Sequence, residues 1–340
     1  MKTAVYYGPG KMEIEEWPVP EVGTDGILIK TRASMVCGTD VKTYARGHHM
    51  FKPPCVLGHE FSGEVVAVGP KVRAAQVGDR ITAAPFINCG KCFYCRAGVA
   101  ELCTSRRVLS NGSFSEYIRI DEEYAASGLI KLAPDTTWEE AALTEPLACV
   151  INAIDDMNIT AGDTVAVVGA GPMGLLNAMV ARYVQHGRVV VFETDELRRA
   201  RVASLGFETA DPAAGDAVAA VRALTDGRGA DQVILAAGAV SAVPLAMSLA
   251  RPGGRVMLFG GFPQGQTASF DPNLIHYKQV TVVGGSGFAP EHFTRAGEMI
   301  NSHAFELSRL VSHKFTLDEI VDALAVAATP ESIKVEIVFD

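Results

Sequence analysis

The sequence predicts an α/β protein that combines a doubly wound parallel sheet with a second, mainly β domain. From about residue 152, apolar runs alternate with helical stretches, which is typical of a parallel sheet wound by right-handed crossovers. Residues 1–150 instead contain short alternating runs broken by Gly and Pro, which favour a partly barrel-like β domain. Four closely spaced cysteines in that region predict a lobe folded around a metal ion.

Length and composition narrow the class of protein. A chain of 340 residues is longer than one core usually supports, so two domains are expected. The 30 basic and 39 acidic residues give a net charge of −9, which argues against nucleic acid and anionic membranes as partners. No apolar stretch is long enough for a signal peptide or a membrane span, and seven cysteines suit a reducing compartment. We therefore expect a cytoplasmic protein.

The lobe, at about residues 86–106, contains a CxxCxxC run closed by a fourth cysteine. Its cysteines are Cys89, Cys92, Cys95 and Cys103. Thiolates at two-residue gaps can meet one tetrahedral zinc, and the Gly-containing segment between them allows tight turns. The alternatives are unrelated free thiols, a redox dithiol or a disulfide framework. A zinc with four thiolates is coordinatively closed, so this site predicts a structural role.

A second set of candidate ligands is distributed over three segments. Cys37 follows the strand-like run ILIKTRASMV, His59 and Glu60 precede the strand-like run FSGEVVAVG, and Glu145 opens a helical stretch. One thiolate, one imidazole and one or two carboxylates suit a zinc that keeps an open position. Taken singly, the same residues are also compatible with a small buried Cys, a hydrogen-bonded His and a solvated helix start.

A glycine fingerprint occupies residues 164–174, TVAVVGAGPMG. A short apolar run leads into Gly169-x-Gly171-Pro172-Met173-Gly174, and the helical stretch LLNAMVARYV follows. The first glycine permits a tight turn, the second lets backbone approach a pyrophosphate, and the third allows close packing of helix on strand. Free N–H groups at the helix start favour phosphate, so the segment predicts a dinucleotide site.

An acid at the end of the next apolar run indicates which dinucleotide binds. Glu193 lies nineteen residues after Gly174, close to the spacing of a carboxylate that binds the adenosine ribose hydroxyls. A carboxylate there repels a 2′-phosphate, which favours NAD over NADP. Arg198, Arg199 and Arg201 could recruit such a phosphate, or they form a solvated helix face.

With these motifs the chain resembles the zinc-dependent medium-chain dehydrogenase/reductases, the alcohol dehydrogenase superfamily, in its polyol (sorbitol) and threonine dehydrogenase branch. The matching segments, spread over half the chain, are VCGTD, PCVLGHEFSGEVVAVG, VGDR, the four-cysteine lobe, EPLAC and VVGAGPMG. The resemblance implies a GroES-like catalytic domain at residues 1–151 and 290–340 and a Rossmann domain at residues 152–289. It also implies NAD, one catalytic and one structural zinc per subunit, and a homodimer or homotetramer.

The resemblance assigns roles to individual residues. Cys37, His59 and an acid are implied as ligands of the catalytic zinc, and the four lobe cysteines as ligands of the structural zinc. In the polyol branch the acid corresponds to Glu145, with the adjacent Glu60 as the alternative ligand. Asp40 matches the carboxylate that orients the ligating His.

Further residues bear on proton transfer and on the substrate. Thr39 matches the hydroxyl that passes the substrate proton onward, but Lys42 stands where many relatives have His. The relay then ends at Thr39 and the ribose hydroxyls, or it passes through His48 or His49. Residues 43–54 should line the substrate pocket, where Tyr44 and the two histidines could bind several hydroxyls.

These residues favour an enzyme that interconverts a polyol or sugar-derived secondary alcohol and its ketone. L-Threonine, a diol and a simple secondary alcohol are the alternative substrates. From another class, the chain could be a catalytically silent protein that binds zinc and nucleotide. An intact set of Cys37, His59 and Glu145 argues against that alternative, since a silent protein has no need of an open metal site.

Overall fold

The computed structural model describes residues 1–340, with side chains described for residues 1–184 and 186–340. The chain forms two compact units, the first made of residues 1–148 and 288–340 and the second of residues 149–287. The boundaries predicted at 151/152 and 289/290 lie within three residues of these divisions. The first division falls inside a helix, where the apolar pattern does not change and therefore gives no signal.

The strands of the chain are β1 (Lys2–Gly8), β2 (Lys11–Glu16), β3 (Gly26–Met35), β4 (Cys55–Val56), β5 (Glu60–Val68), β6 (Arg80–Ala83), β7 (Phe86–Ile87), β8 (Arg107–Val108), β9 (Tyr117–Asp121), β10 (Leu129–Lys131), β11 (Val165–Val168), β12 (Val189–Phe192), β13 (Glu208–Ala210), β14 (Ala230–Leu235), β15 (Ala250–Leu258), β16 (Thr281–Gly284), β17 (Val311–Thr316) and β18 (Lys334–Val338). The helices are α1 (Gly38–Arg46), α2 (Phe93–Arg96), α3 (Glu122–Gly128), α4 (Trp138–Ala142), α5 (Thr144–Met157), α6 (Pro172–Gln185), α7 (Glu196–Ser204), α8 (Ala217–Leu224), α9 (Val243–Leu249), α10 (Asn273–His276), α11 (Pro290–Asn301) and α12 (Ile320–Ala327). Short 3₁₀ helices occupy Ala100–Leu102, Val240–Ala242, Leu307–Leu310 and Leu317–Glu319.

The main sheet of the first unit is built around β3. Its strand order is β10-β6-β5-β3-β18-β17, and β9 also pairs with β3. The partners β5, β9 and β18 are all antiparallel to β3. In this register Met35 at the end of β3 faces both Glu60 of β5 and Glu336 of β18. The segments that follow β3, precede β5 and begin β18 are therefore brought together at one edge.

The second unit contains the predicted doubly wound sheet. Six parallel strands run in the order β13-β12-β11-β14-β15-β16. This is the 3-2-1-4-5-6 order of dinucleotide-binding folds, in which the strand order reverses beside the first strand. The β11 residues Val165–Val168 are buried on both faces, as a central parallel strand requires. The fold class predicted from the sequence is confirmed.

Two further observations complete the description of the fold. The strand β17 (VSHKFT) was not predicted, since His and Lys interrupt its apolar alternation and most of its residues remain partly exposed. It pairs with β18 in parallel. Among the described residues, no helix is both long enough and apolar enough to cross a bilayer.

Candidate active site

The four cysteines of the lobe converge on one point. The Sγ–Sγ distances are 3.5 Å for Cys92 and Cys95, 3.6 Å for Cys89 and Cys103, 3.8 Å for Cys92 and Cys103, and 4.0 Å for Cys89 and Cys95. Four sulfurs bound at about 2.3 Å to a tetrahedral zinc lie about 3.8 Å apart. The cluster therefore fits zinc in its dimensions as well as in its donor atoms.

Backbone amides of the lobe face these sulfurs. The N–H groups of Cys92 and Ser105 donate to Cys89 Sγ (3.3 Å) and Cys103 Sγ (3.4 Å). Backbone hydrogen bonds from Cys95 and Thr104 lower the pKa of the Cys92 thiol to about 6. Desolvation and the neighbouring sulfurs raise the pKa of Cys95. One thiolate is thus available at neutral pH, and a bound cation favours loss of the remaining protons.

Three of the four candidate ligands of the second site lie together. One ligand atom from each of Cys37, His59 and Glu60 lies within 4.8 Å of the other two. Strand register explains this, because Met35 of β3 faces Glu60 of β5 and the other two ligands adjoin those strand ends. Glu60 is 1% exposed, and the other two are half-buried. A sulfur, a nitrogen and a carboxylate match zinc sites that keep one position open.

Asp40 holds the backbone and the imidazole ring of this set in place. Its fully buried carboxylate accepts hydrogen bonds from the backbone N–H groups of Cys37 (2.9 Å) and Gly58 (3.2 Å). It also lies 3.6 Å from Nδ1 of His59, which leaves Nε2 as the nitrogen that can bind a cation. Burial alone would lower the pKa of His59, but the charges of Asp40 and Cys37 together raise it well above its ordinary value.

Gly58 is required where the chain turns into His59. Its φ is +88°, a conformation that side chains rarely adopt. A Cβ atom there would lie 2.6 Å from Ser113 Oγ and 2.8 Å from the Phe114 ring. Glycine therefore lets the backbone pass close enough to donate its N–H to Asp40.

Lys334 is a site residue that sequence reasoning missed. It lies on β18 with its side chain 4% exposed, and Nζ donates to the Glu60 carboxylate and to Val36 O (3.3 Å). Burial would lower the pKa of Lys334, but the charges of Glu60, Cys37 and Glu145 raise it. The available signal was a lysine within SIKVEIVF, a strand buried on both faces, where a cation needs an anionic partner.

Glu145 lies in the first turn of α5 and is not a member of the clustered set among the described residues. Its charge nevertheless acts on Lys334, as does that of Glu60. Both acids that the sequence leaves as alternative ligands therefore act electrostatically on one buried cation, and Glu60 also forms an ion pair with it.

The residues predicted for proton transfer and substrate binding lie on or just after α1. Thr39 is half-buried in the first turn, and its carbonyl accepts the Thr43 hydroxyl at 2.7 Å. Tyr44 donates its hydroxyl to Gly10 O at 3.2 Å, so that group is already engaged. The rings of His48 and His49 stack with centroids 4.4 Å apart.

The glycine fingerprint forms the turn between β11 and α6. Gly169 has φ +101°, and a Cβ there would meet Ala237 at 2.9 Å. A Cβ on Gly174 would lie 1.9 Å from Gly169 O, so helix and strand approach as closely as predicted. A Cβ on Gly171 would meet nothing within 4 Å, which leaves the space that a phosphate needs. Pro172 begins α6, so Met173 and Gly174 carry its first N–H groups.

Glu193 lies directly after β12 and is buried. Its Oε2 accepts the Ala170 N–H at 2.8 Å, and its Oε1 accepts those of Thr194 (2.8 Å) and Asp195 (3.0 Å). The carboxylate thus ties the glycine turn to the end of β12, a role that the sequence did not indicate. Since Oε2 has one bond from the described residues, it retains capacity for a further donor.

The two arginines nearest Glu193 differ in their environment. Arg199 donates to the carbonyls of Glu193 (2.9 Å) and Thr194 (2.6 Å) and forms an ion pair with Asp211 at 3.4 Å. Its guanidinium is therefore engaged by the protein itself. Arg198 is half-buried in α7, and its backbone N–H is capped by the Asp195 carboxylate.

Comparison with known proteins agrees with this geometry. The family model of the alcohol dehydrogenase GroES-like domain matches residues 23–132, and that of the zinc-binding dehydrogenases matches residues 172–302. The chain is 36% identical to a sorbitol dehydrogenase of Halalkalibacterium halodurans, over 97% of this chain and 96% of that one. It is 33% identical to an L-threonine 3-dehydrogenase of Pyrococcus horikoshii, over 93% and 90%.

A solved structure from Sinorhizobium meliloti 1021, which contains bound NADP, has a TM-score of 0.91 and 33% identity over 99% of both chains. Identities of this size over nearly whole chains confirm the resemblance that the sequence motifs indicated. The chain therefore belongs to the zinc-dependent medium-chain dehydrogenase/reductases, and it is an oxidoreductase of their polyol and threonine dehydrogenase branch.

Proposed function

We propose that the protein is an NAD-dependent enzyme that interconverts a secondary alcohol of a polyol or sugar derivative and its ketone. The observation that carries the proposal is the cluster of Cys37, His59 and Glu60 in a chain related to a sorbitol dehydrogenase. A closed structural zinc site has four protein ligands, whereas three are grouped here among the described residues, which suits a zinc with one position open to substrate.

The chain's own residues would hold two zinc ions per subunit. The four lobe cysteines bind the structural ion, while Cys37, His59 and one of the two acids bind the catalytic ion. When bound, zinc supplies Lewis acidity at the alcohol oxygen and the nicotinamide accepts the two electrons. Asp40 keeps the His59 ring oriented, and Lys334 balances the buried carboxylate of Glu60.

Proton transfer is assigned to Thr39. It follows Cys37 by two residues in the first turn of α1, and its backbone N–H donates to Cys37 Sγ at 3.5 Å. It would accept the hydrogen bond of the substrate hydroxyl and pass the proton towards solvent. Lys42 on the same helix is less suited to this role, since a lysine ammonium offers donors but no acceptor for the proton. His48 and His49 are the other candidate acceptors.

NAD is the cofactor that Glu193 favours. Its carboxylate is held by three backbone amides at the edge where the adenosine ribose binds in such folds, and a 2′-phosphate would meet this fixed charge. Arg199 is already committed to backbone carbonyls and Asp211, so it offers little to such a phosphate.

Replacing Glu193→Ala together with Thr194→Arg tests this preference. We expect the ratio of kcat/KM for NADP over NAD to rise at least about tenfold, because a repulsion is removed and a cation added. The value for NAD should fall, since the Ala170 N–H loses its acceptor. Steady-state kinetics with both dinucleotides measure the ratio, and Glu291→Ala, an exposed acid on α11, is the control. An unchanged ratio would remove Glu193 from the ribose role.

L-Threonine is the second candidate substrate, because the chain is also related to a threonine dehydrogenase over most of its length. The deciding experiment measures NADH formation at alkaline pH with polyols, L-threonine and diols, with and without a chelator. Chelator-sensitive oxidation of polyols is expected, and preferential oxidation of threonine would replace the proposal. No activity with any alcohol would favour a silent zinc and nucleotide-binding protein.

The assembly is proposed as a homodimer or homotetramer. The strand β16 forms an edge of the parallel sheet, and the preceding segment exposes Ile275 and Tyr277, the latter by 76%. An uncovered edge strand with exposed apolar neighbours suits pairing with a second copy. Light scattering of the purified protein decides, and a monomer would contradict the proposal. We also place the enzyme in the cytoplasm, on its seven cysteines and their metal-binding spacing.

A further inference from the structure

All the charged side chains in the segment between Asp40 and Glu60 are basic. Residues 41–59 contain no Asp or Glu, although the chain has a net charge of −9. They contain Lys42, Arg46, Lys52 and three histidines, the last of which is His59. The segment starts on the helix that Cys37 caps and ends at His59, so both of its ends lie at the cluster.

Helix α1 directs part of this charge away from the cluster along one face. Thr39, Lys42 and Arg46 are spaced i, i+3 and i+7, which places them on the same side of the helix. At 1.5 Å per residue, Lys42 and Arg46 lie about 4.5 and 10 Å beyond Thr39 along the axis. This is the length scale of a five- or six-carbon chain.

The cations of this face have no anionic partner among the described side chains. Lys42 and Arg46 form no ion pair there, whereas Lys2, Lys11 and Lys131 on the surface pair with Asp or Glu, as only some of the exposed lysines do. Besides burial, the charges that act on His48 are those of His49, Lys42 and Arg46, and no carboxylate acts on it. The acid nearest in sequence, Asp40, is fully buried and already engaged.

We propose that the alcohol oxidised at this site is a phosphate monoester of a polyol, whose phosphate binds Lys42, Arg46 and His48. This inference rests on the proposed function, since it names the substrate class of the same site. A neutral polyol needs only hydrogen-bonding groups, and clustered cations without counter-charge gain nothing from it. A phosphate neutralises them, and the planar Arg46 guanidinium can bind two of its oxygens. The phosphate end would then set which carbon meets Thr39 and the metal ligands.

The test compares matched substrates with the zinc-loaded enzyme and NAD. A pentitol and its 5-phosphate, a hexitol and its 6-phosphate, and an aldonate with a carboxylate end are used. We expect kcat/KM for the phosphates to exceed that for the neutral polyols at least tenfold, with inorganic phosphate competing against the phosphorylated alcohol. Arg46→Gln should lower the value for the phosphates about tenfold or more, mainly through KM, and leave neutral polyols within about twofold. Arg46→Lys should restore part of the loss.

Lys71→Gln is the charge-matched control, because this exposed lysine lies far along the chain from α1. The substitution should change kcat/KM for neither the neutral nor the phosphorylated polyols. Equal use of neutral and phosphorylated polyols would overturn the inference and leave the proposed function intact. An aldonate preferred over the phosphates would overturn the assignment of phosphate. If Arg46→Gln raised the KM for NAD and left the KM for the phosphorylated polyols unchanged, Arg46 would serve the dinucleotide. That result would also overturn the inference. No turnover of any alcohol would remove both proposals.

Discussion

Cys37→Ala is expected to lower turnover at least about a thousandfold while leaving the fold intact. The reason is that the thiolate is one of three grouped ligands, and without it the Lewis acid that stabilises several kcal/mol of developing charge is lost. Cys37 is half-buried at a helix cap, so its truncation leaves no large cavity. Steady-state kinetics, circular dichroism and zinc content per chain measure the three consequences.

Cys92→Ala is the matched change in the lobe, and it should have the opposite profile. Loss of the structural zinc removes the main cross-link among residues 86–106, so the unfolding temperature should fall and the lobe should become sensitive to proteases. Turnover at low temperature should remain measurable, because the second cluster keeps its ligands. Equal thermal destabilisation by both substitutions would contradict this division of roles.

Lys334→Met has the second large expected effect, on the free energy of unfolding. It leaves the Glu60 carboxylate buried without its cation, and breaking a buried ion pair from one side costs about 3–5 kcal/mol. Denaturation of the chelator-treated protein measures the loss without a contribution from bound metal. The double variant Glu60→Gln with Lys334→Met should regain most of the stability, because neither charge is then left alone.

The surface pair of Lys2 and Asp318 provides the control for this cycle. Both side chains are about half-exposed, so Lys2→Met should leave the unfolding transition unchanged within error. If Lys334→Met were as mild as Lys2→Met, the buried cation would not be needed to balance the site. If the double variant were no more stable than Lys334→Met alone, the destabilisation would come from lost packing rather than from Glu60.

Features encoded by short spacings could be predicted from the sequence. The four cysteines lie within fifteen residues, and their two-residue gaps are enough to define a tetrahedral cluster. The three glycines of the dinucleotide turn have the steric reasons that the fingerprint assigns to them. Both features are local, because backbone geometry over a few residues fixes the positions of the atoms.

Features that depend on distant strand pairing could not be predicted. Lys334 and Glu60 are 274 residues apart, and only the register of β3 with β5 and β18 brings them together. For the same reason, the sequence left Glu60 as the alternative to Glu145, whereas the structure groups Glu60 with Cys37 and His59. The bonds from Glu193 to the glycine turn were also missed, since they depend on how β11 lies beside β12.

Zinc X-ray absorption of the wild type, Cys37→Ala and Cys92→Ala proteins tests the central claim most directly. The account predicts two zinc ions per wild-type chain and one in each variant. The zinc that remains in Cys37→Ala should have four sulfur neighbours at about 2.3 Å, and the zinc in Cys92→Ala should have one sulfur with nitrogen and oxygen at about 2.0–2.2 Å. A Cys37→Ala protein that keeps two zinc ions, one of them with nitrogen and oxygen neighbours, would contradict the account.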